Sequence, residues 1–286
     1  MRHTELPQDS AEQKMAVKNC ILFQRCGSVA YGTNIPGKSD DDYMGVFVPE
    51  EDYCGIGLKG IEQVEFRTNP TDSGHRNTPQ DMDCTLYSVK KFIQLLLNNN
   101  PNSLESLFYP ENCRLYVNHF GQMILDAKDV FVSKKAYHSF KGYSFSQIAR
   151  LERGETKTTG RVDLIEKFGY DVKMASHSIR LYLECNELLS TGGITLPLKE
   201  NNLVLSIKRG EWSKIDFLAE AKRLETICDS LYASTKIAHS PNHDAAHELL
   251  KKINKDFLGY GKTSRYGTVR EWLAGFLRHT ADFVEK

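Results

Sequence analysis

Two aspartates standing two residues apart at the mouth of an apolar strand constrain this chain more than any other feature. Ser39-Asp40-Asp41-Asp42 leads into Tyr43-Met44-Gly45-Val46-Phe47, a β-rich run that stops at Pro49. Side chains alternate along a strand, so Asp40 and Asp42 project to one side and Asp41 to the other. Carboxylates this close repel one another unless a cation neutralises them. Upstream, the apolar run Asn19 to Cys26 stops at Gly27 and continues as Ser28-Val29-Ala30-Tyr31-Gly32-Thr33. A glycine there lets backbone N–H groups approach a phosphate with no Cβ in the way, and Ser28 adds a hydroxyl for terminal phosphate oxygens. A bare acidic turn is ordinary solvated surface. A Gly-Ser turn before it, a strand after it and a third acid in reach point instead to a metal site.

The third acid comes from Met82 to Tyr87, a further strand with Met82, Cys84 and Leu86 on one side. Asp83 sits inside that run; Asp81 projects to the same side but stands at its start, so position favours Asp83. Ile61 to Arg67 alternates as a strand, and the polar Thr68 to Gln80, with two prolines and a glycine, reads as a flexible loop. Ser88 caps a helix carrying Val89, Phe92, Ile93 and Leu96 that ends near Asn100-Pro101. The remainder is helical. One helix runs from a Ser133 cap to about Arg153, and one from about Asp163 to Leu189 before Gly192-Gly193. A third starts at a Ser213 cap, a fourth carries Ala246 to Ile253, and a last spans Val269 to Phe276. The expected class is α+β: a small mixed sheet followed by a helical bundle. The expected divisions are a mobile N-terminal segment over 1–16, a sheet domain over 17–128 and a helical domain over 129–286.

Lys plus Arg (37) equals Asp plus Glu (37), so net charge selects neither a nucleic-acid nor a membrane partner. Seven cysteines at no zinc-like or redox spacing read as reduced thiols, which fits a cytoplasmic protein. No run is apolar and long enough to span a bilayer, and the polar opening lacks the apolar core of a signal peptide.

At Gly27-Ser28 followed by Asp40-x-Asp42 the chain resembles the DNA polymerase beta-like nucleotidyltransferase superfamily. The fuller wording, Gly-Ser-x-x-Tyr-Gly-Thr and then Ser-Asp-x-Asp-x-x-Gly-Val-Phe, is similar to a branch of bacterial and phage predicted nucleotidyltransferases. Tyr87 to Phe92, Asn100-Pro101 with Glu105 to Phe108, and Lys167 to Lys173 with His177 and Arg180 extend the likeness over about residues 20–215. The resemblance implies a palm-like sheet and transfer of a nucleoside monophosphate from an NTP to a hydroxyl. It implies two Mg²⁺ ions, with Mn²⁺ as the alternative. Asp40 and Asp42 would hold both ions, Asp83 one, and Gly27 and Ser28 the β/γ-phosphates. An RNA end is one candidate acceptor and a protein or small-molecule hydroxyl the other; a non-catalytic NTP sensor is the competing class.

On the helix from Asp163, Lys173, His177, Arg180 and Glu184 share one face. By spacing alone that face is solvated, with an Arg180–Glu184 pair. The resemblance tilts it towards nucleotide binding by Lys173, His177 and Arg180. Between Ser133 and Arg180, Lys and Arg outnumber Asp and Glu about two to one, which suits a phosphate-binding surface as well as an ordinary one. Gly259 to Thr263 lacks the first glycine of a P-loop, and His239, His243 and His247 read as surface.

Overall fold

The computed structural model describes residues 1–37, 39–54, 59–68, 81–154 and 162–259. The expected loop beyond Thr68, the Gly259 to Thr263 stretch beyond Gly259 and the expected last helix lie outside the described residues. The helix α1 (Ala11–Lys18) precedes β1 (Cys20–Arg25), the short α2 (Gly27–Ala30), β2 (Asp41–Phe47), β3 (Gln63–Arg67) and β4 (Met82–Ser88). Then come α3 (Val89–Leu97), α4 (Pro101–Glu105), β5 (Arg114–Val117), α5 (His119–Asp126) and α6 (Lys128–Phe131). The helical half holds α7 (Lys135–Glu152), α8 (Val162–Phe168), α9 (Val172–Thr191), α10 (Asn201–Lys208), α11 (Lys214–Ser234) and α12 (His243–Leu258). The class is α+β, as expected.

The sheet runs β3-β4-β2-β1-β5; β2 and β4 pair in parallel and the other neighbours antiparallel. The inner strand β1 is buried on both faces. Phe23, Tyr43, Phe47, Phe66, Cys84 and Leu86 cover one face under Leu6 and the α1 residues Met15, Ala16 and Val17. On the other face Met44 and Val46 join one continuous core with Phe92, Phe140, Ile179 and Phe217. The segment expected to be mobile over 1–16 is therefore packed in part. Ser10 and Gln13 form a reciprocal capping box that starts α1, and burial of Met15 fastens it to the sheet. The continuous core also shows that the sheet and helical halves meet without a solvent gap at 128/129.

Three local differences have identifiable causes. The helix expected from Asp163 is two. Gly169 turns left-handed at the end of α8, and the Asp171 carboxylate then accepts the Met174 N–H to cap α9. Ser133 does not cap α7; it is buried and donates its hydroxyl to Asn99 Oδ1 at 2.8 Å. Strand β5 is an additional edge strand whose middle residues are exposed, so it lacks an alternating pattern. The Ser88, Ser213 and Gly192 caps stand where the sequence puts them.

Helix α5 lies against β1 at Gly121, where a Cβ would meet the Ile21 carbonyl oxygen at 2.2 Å. Replacing an interior helical glycine with alanine favours the helix by about 1 kcal/mol. Forcing a methyl into backbone costs about 1–3 kcal/mol, so the clash wins. Gly121→Ala is expected to lower the urea midpoint; a raised midpoint would mean that α5 can move away from β1 freely.

Candidate active site

The parallel pairing of β2 with β4 sets Asp42 directly opposite Asp83. Paired residues project to the same face, here the one turned towards the helices. With Asp40 just before β2, the three aspartates each offer an oxygen, and these atoms all lie within 4.8 Å of one another. Asp41 projects to the other face and forms an ion pair with Arg25. Asp81 accepts a hydrogen bond from Thr68 Oγ1 at 3.0 Å and stands outside the cluster. Geometry thus groups Asp83, and not Asp81, with Asp40 and Asp42. Arg67 Nε lies 3.8 Å from Asp83 Oδ1 at the rim.

Burial, and then the neighbouring Asp40, push the Asp42 carboxyl up to about 6; Asp83 and Asp41 add to this and Lys173 opposes it. Three crowded carboxylates, one of them with a raised proton affinity, are a fit for a hard divalent cation. Gly27 completes this corner. Its φ of +65° favours glycine, and a Cβ there would fall 2.2 Å from Asp42 Oδ2. The Cys26 N–H also donates to the Asp42 carbonyl at 2.8 Å, tying the turn to β2. Ser28 Oγ is buried with no hydrogen-bond partner among the described residues. A buried hydroxyl so placed can serve a ligand oxygen.

Two lysines approach from the helical half. Lys173, in the first turn of α9, is exposed, and its charge holds the Asp42 carboxyl down against burial. Lys208, the last residue of α10, donates from Nζ to the Thr33 carbonyl at 2.9 Å. Burial, then Lys173, push its ammonium down to about 8, while Asp40 and Asp42 pull the other way. The sequence reading missed Lys208, because a lysine at a helix C-terminus is already explained by the helix dipole. Around it Tyr31-Gly32-Thr33 forms a seam with the helical half. The Leu198 N–H donates to the Tyr31 carbonyl at 3.1 Å, and Pro197 fills the space over Gly32.

The expected row of Lys173, His177 and Arg180 divides. Arg180 is 3% exposed and its guanidinium is committed to protein partners. It donates to Glu105 and to Glu184, the latter at 2.8 and 3.0 Å, and lies 3.9 Å from the centre of the Tyr31 ring. The Tyr31 hydroxyl in turn donates to Glu105. Nucleotide contact by Arg180 is therefore corrected to a buried support beneath the Gly-Ser turn. The Arg180–Glu184 pair that spacing alone suggested is present. Burial pushes the Glu184 carboxyl well up, reinforced by Glu105 and opposed by Arg180. His177 is half-buried, with Nδ1 2.9 Å from Gln147 Oε1.

Two stability outcomes follow. Arg180→Ala strands two buried glutamates and should cost about 3–5 kcal/mol in chemical denaturation; a loss below about 1 kcal/mol would make the network dispensable. At Asp42 the folded carboxyl keeps its proton up to about 6, whereas the unfolded one loses it near 4. Metal-free stability should therefore fall as pH rises between those values, by at most about 3 kcal/mol. Asp42→Asn should flatten that fall and also remove the rise in Tm that Mg²⁺ gives the parent at neutral pH. An unchanged Mg²⁺ response in the variant would remove Asp42 from the ion site.

Over 84 residues the chain is 38% identical to an uncharacterized 38.9 kDa protein of Enterobacteria phage T4, from the nrdC-mobD intergenic region. That match covers 29% of this chain and 24% of the phage protein. Among solved structures, a nucleotidyltransferase-like protein from Exiguobacterium sibiricum aligns over 86% of this chain and 75% of its own, at 8% identity and a TM-score of 0.27. The profile of the RNA repair pathway DNA polymerase beta family, RlaP, matches residues 4–252. That span takes in the whole sheet, the three aspartates and both lysines, and the chain belongs to the RlaP family of DNA polymerase beta-like nucleotidyltransferases.

Proposed function

We propose that this chain moves a nucleoside monophosphate from an NTP to an acceptor hydroxyl, with an RNA end as the acceptor. One observation carries the reading: three carboxylates, from β2, β4 and the residue leading into β2, converge beside the Gly27-Ser28 turn and face two lysines from the helices. A site with acid on one wall and base on the other suits a polyanion bound through cations. The RNA acceptor draws on the family's description as an RNA repair pathway family. Among the described residues no helix is long and apolar enough to cross a membrane.

In this reading Asp40 and Asp42 would hold two Mg²⁺ ions, with Mn²⁺ as the alternative, and Asp83 would share in holding one of them. The ions supply neutralisation of the triphosphate and a more acidic acceptor hydroxyl. Gly27 and Ser28 present backbone and hydroxyl groups to the terminal phosphates. Lys173 and Lys208 offset the remaining negative charge. The acceptor oxygen attacks the α-phosphorus in line, the bond to the bridging oxygen breaks, and pyrophosphate departs. Positioning and charge supply the acceleration, since the protein forms no covalent bond.

The test incubates the protein with each labelled NTP, Mg²⁺ and RNA carrying defined ends, and follows label transfer and pyrophosphate release. Asp42→Ala is expected to abolish transfer in a folded protein, and Asp83→Asn to lose far more than Asp81→Asn. Lys208→Ala should raise the NTP concentration for half-maximal rate by about tenfold or more, the loss of one charged hydrogen bond. Tight NTP binding without pyrophosphate release would replace the enzyme by a sensor. Label entering protein or small molecules and not RNA would overturn the acceptor.

A further inference from the structure

Helix α9 continues the site beyond its lysine. Lys173, His177 and Arg180 fall within an arc of about 60° on the helix. Two of the three are placed by separate contacts. Lys173 is close enough to Asp42 to act on its charge, and Arg180 packs on Tyr31, just past the Gly-Ser turn. His177 lies one turn beyond Lys173 along the axis and about 40° round from it, on the side away from Arg180, so it adjoins the face that Lys173 turns to the Asp42 corner.

Its ring is held from two directions. Nδ1 sits 2.9 Å from Oε1 and 2.7 Å from Nε2 of Gln147, and the Ser178 hydroxyl donates to the same Oε1 at 3.1 Å. Gln147 and Ser178 are buried, so the amide cannot swing freely. Tyr143, one turn earlier on α7, sets its ring edge-to-face with His177 at 5.3 Å and 85°. The phenol is nevertheless 41% exposed. A tyrosine that served only to fill the core would be buried; this one stands in water beside a fixed imidazole. The two rings meet at nearly a right angle and form an amphipathic corner, with His177 about one helical turn, or about 6 Å, beyond Lys173. Aromatic faces of this kind stack nucleobases without regard to sequence.

We infer that Tyr143 and His177 form a subsite for a nucleobase, contributed either by the incoming nucleotide or by the terminal residue of the acceptor. The inference rests on the nucleotidyl-transfer reading above. In that arrangement Lys173 meets the phosphates and the next turn of α9 meets the base, so one helix spans a nucleotide from charge to ring. The His177–Gln147 contact fixes the platform, and Tyr143 supplies its exposed part.

The experiment titrates wild type, Tyr143→Ala and Tyr143→Phe with each of the four NTPs and with RNA ends, and measures the competition of inorganic tripolyphosphate. Tyr143 is on the surface, so both variants should fold, which their thermal melts would verify. Tyr143→Ala should raise one half-saturating concentration about tenfold, and Tyr143→Phe should restore it. Tripolyphosphate, which has no base, should compete equally against all three proteins. A rise for NTP alone assigns the base to the incoming nucleotide, and a rise for RNA alone assigns it to the acceptor; either supports the subsite. If the wild type turns over and Tyr143→Ala matches it on both substrates, the subsite is wrong and the transfer reading stands. If tripolyphosphate weakens together with NTP, Tyr143 acts on the phosphates and the base assignment falls. If the wild type neither binds nor transfers any NTP, the transfer reading fails and takes the subsite with it.

Discussion

Asp42 and Asp83 repel each other, yet the backbone makes them neighbours. The ladder between β2 and β4 sets them in register, and burial raises the proton affinity of Asp42 further. Sheet hydrogen bonding and the apolar faces of both strands bear that cost, since neither side chain can leave without breaking the pairing. The features around the cluster answer to it. Gly27 has no Cβ because Asp42 already occupies the space. Lys173 and Lys208 bring positive charge from the opposite wall. Strand alternation sends Asp41 to the far face, where it pairs with Arg25, so the cluster holds three carboxylates and not four.

The seam at Tyr31-Gly32-Thr33 explains why the helical half matters to chemistry on the sheet. Each of the three residues meets a different part of it: Leu198 at the Tyr31 carbonyl, Pro197 over Gly32 and Lys208 at the Thr33 carbonyl. The turn that presents Ser28 is thus clamped directly behind the hydroxyl. A site built on a short turn is only as exact as the elements that hold it.

What the sequence revealed and what it hid divide along sequence separation. The Gly-Ser turn, Asp40, Asp42 and the choice of Asp83 follow from alternation and from position within a run, which are local rules. The caps at Ser88, Ser213 and Gly192 are local as well. Ser133 failed because a capping signature could not reveal that its hydroxyl was taken by Asn99, 34 positions earlier. The break before α9 was legible in Gly169 and Asp171, and was passed over because apolar spacing continues across it. Lys208 was hidden because its partner, Thr33, is 175 positions away. Helical spacing correctly put Lys173, His177 and Arg180 on one face. It could not say that Glu105, 75 positions upstream, would meet Arg180 while Lys173 met the site.

That division of one helix face by depth accounts for the residue types along it. At the exposed end a lysine suffices, since a mobile ammonium can follow a phosphate or a carboxylate. At the buried end the cation must satisfy Glu105 and Glu184 at once and also lie flat on Tyr31. Only a planar guanidinium with several fixed donors does all three. A lysine there would present one point charge to two carboxylates and no face to the ring, leaving buried acceptors unpaired. Two buried acids against one cation would still leave an excess negative charge in the core. Burial and the neighbouring Glu105 push the Glu184 carboxyl well up against the pull of Arg180, the direction that reduces this excess. Arg180 thus belongs to the same helix face as the site residues but to the scaffold by function, and the boundary between the two roles is the point where α9 passes out of solvent.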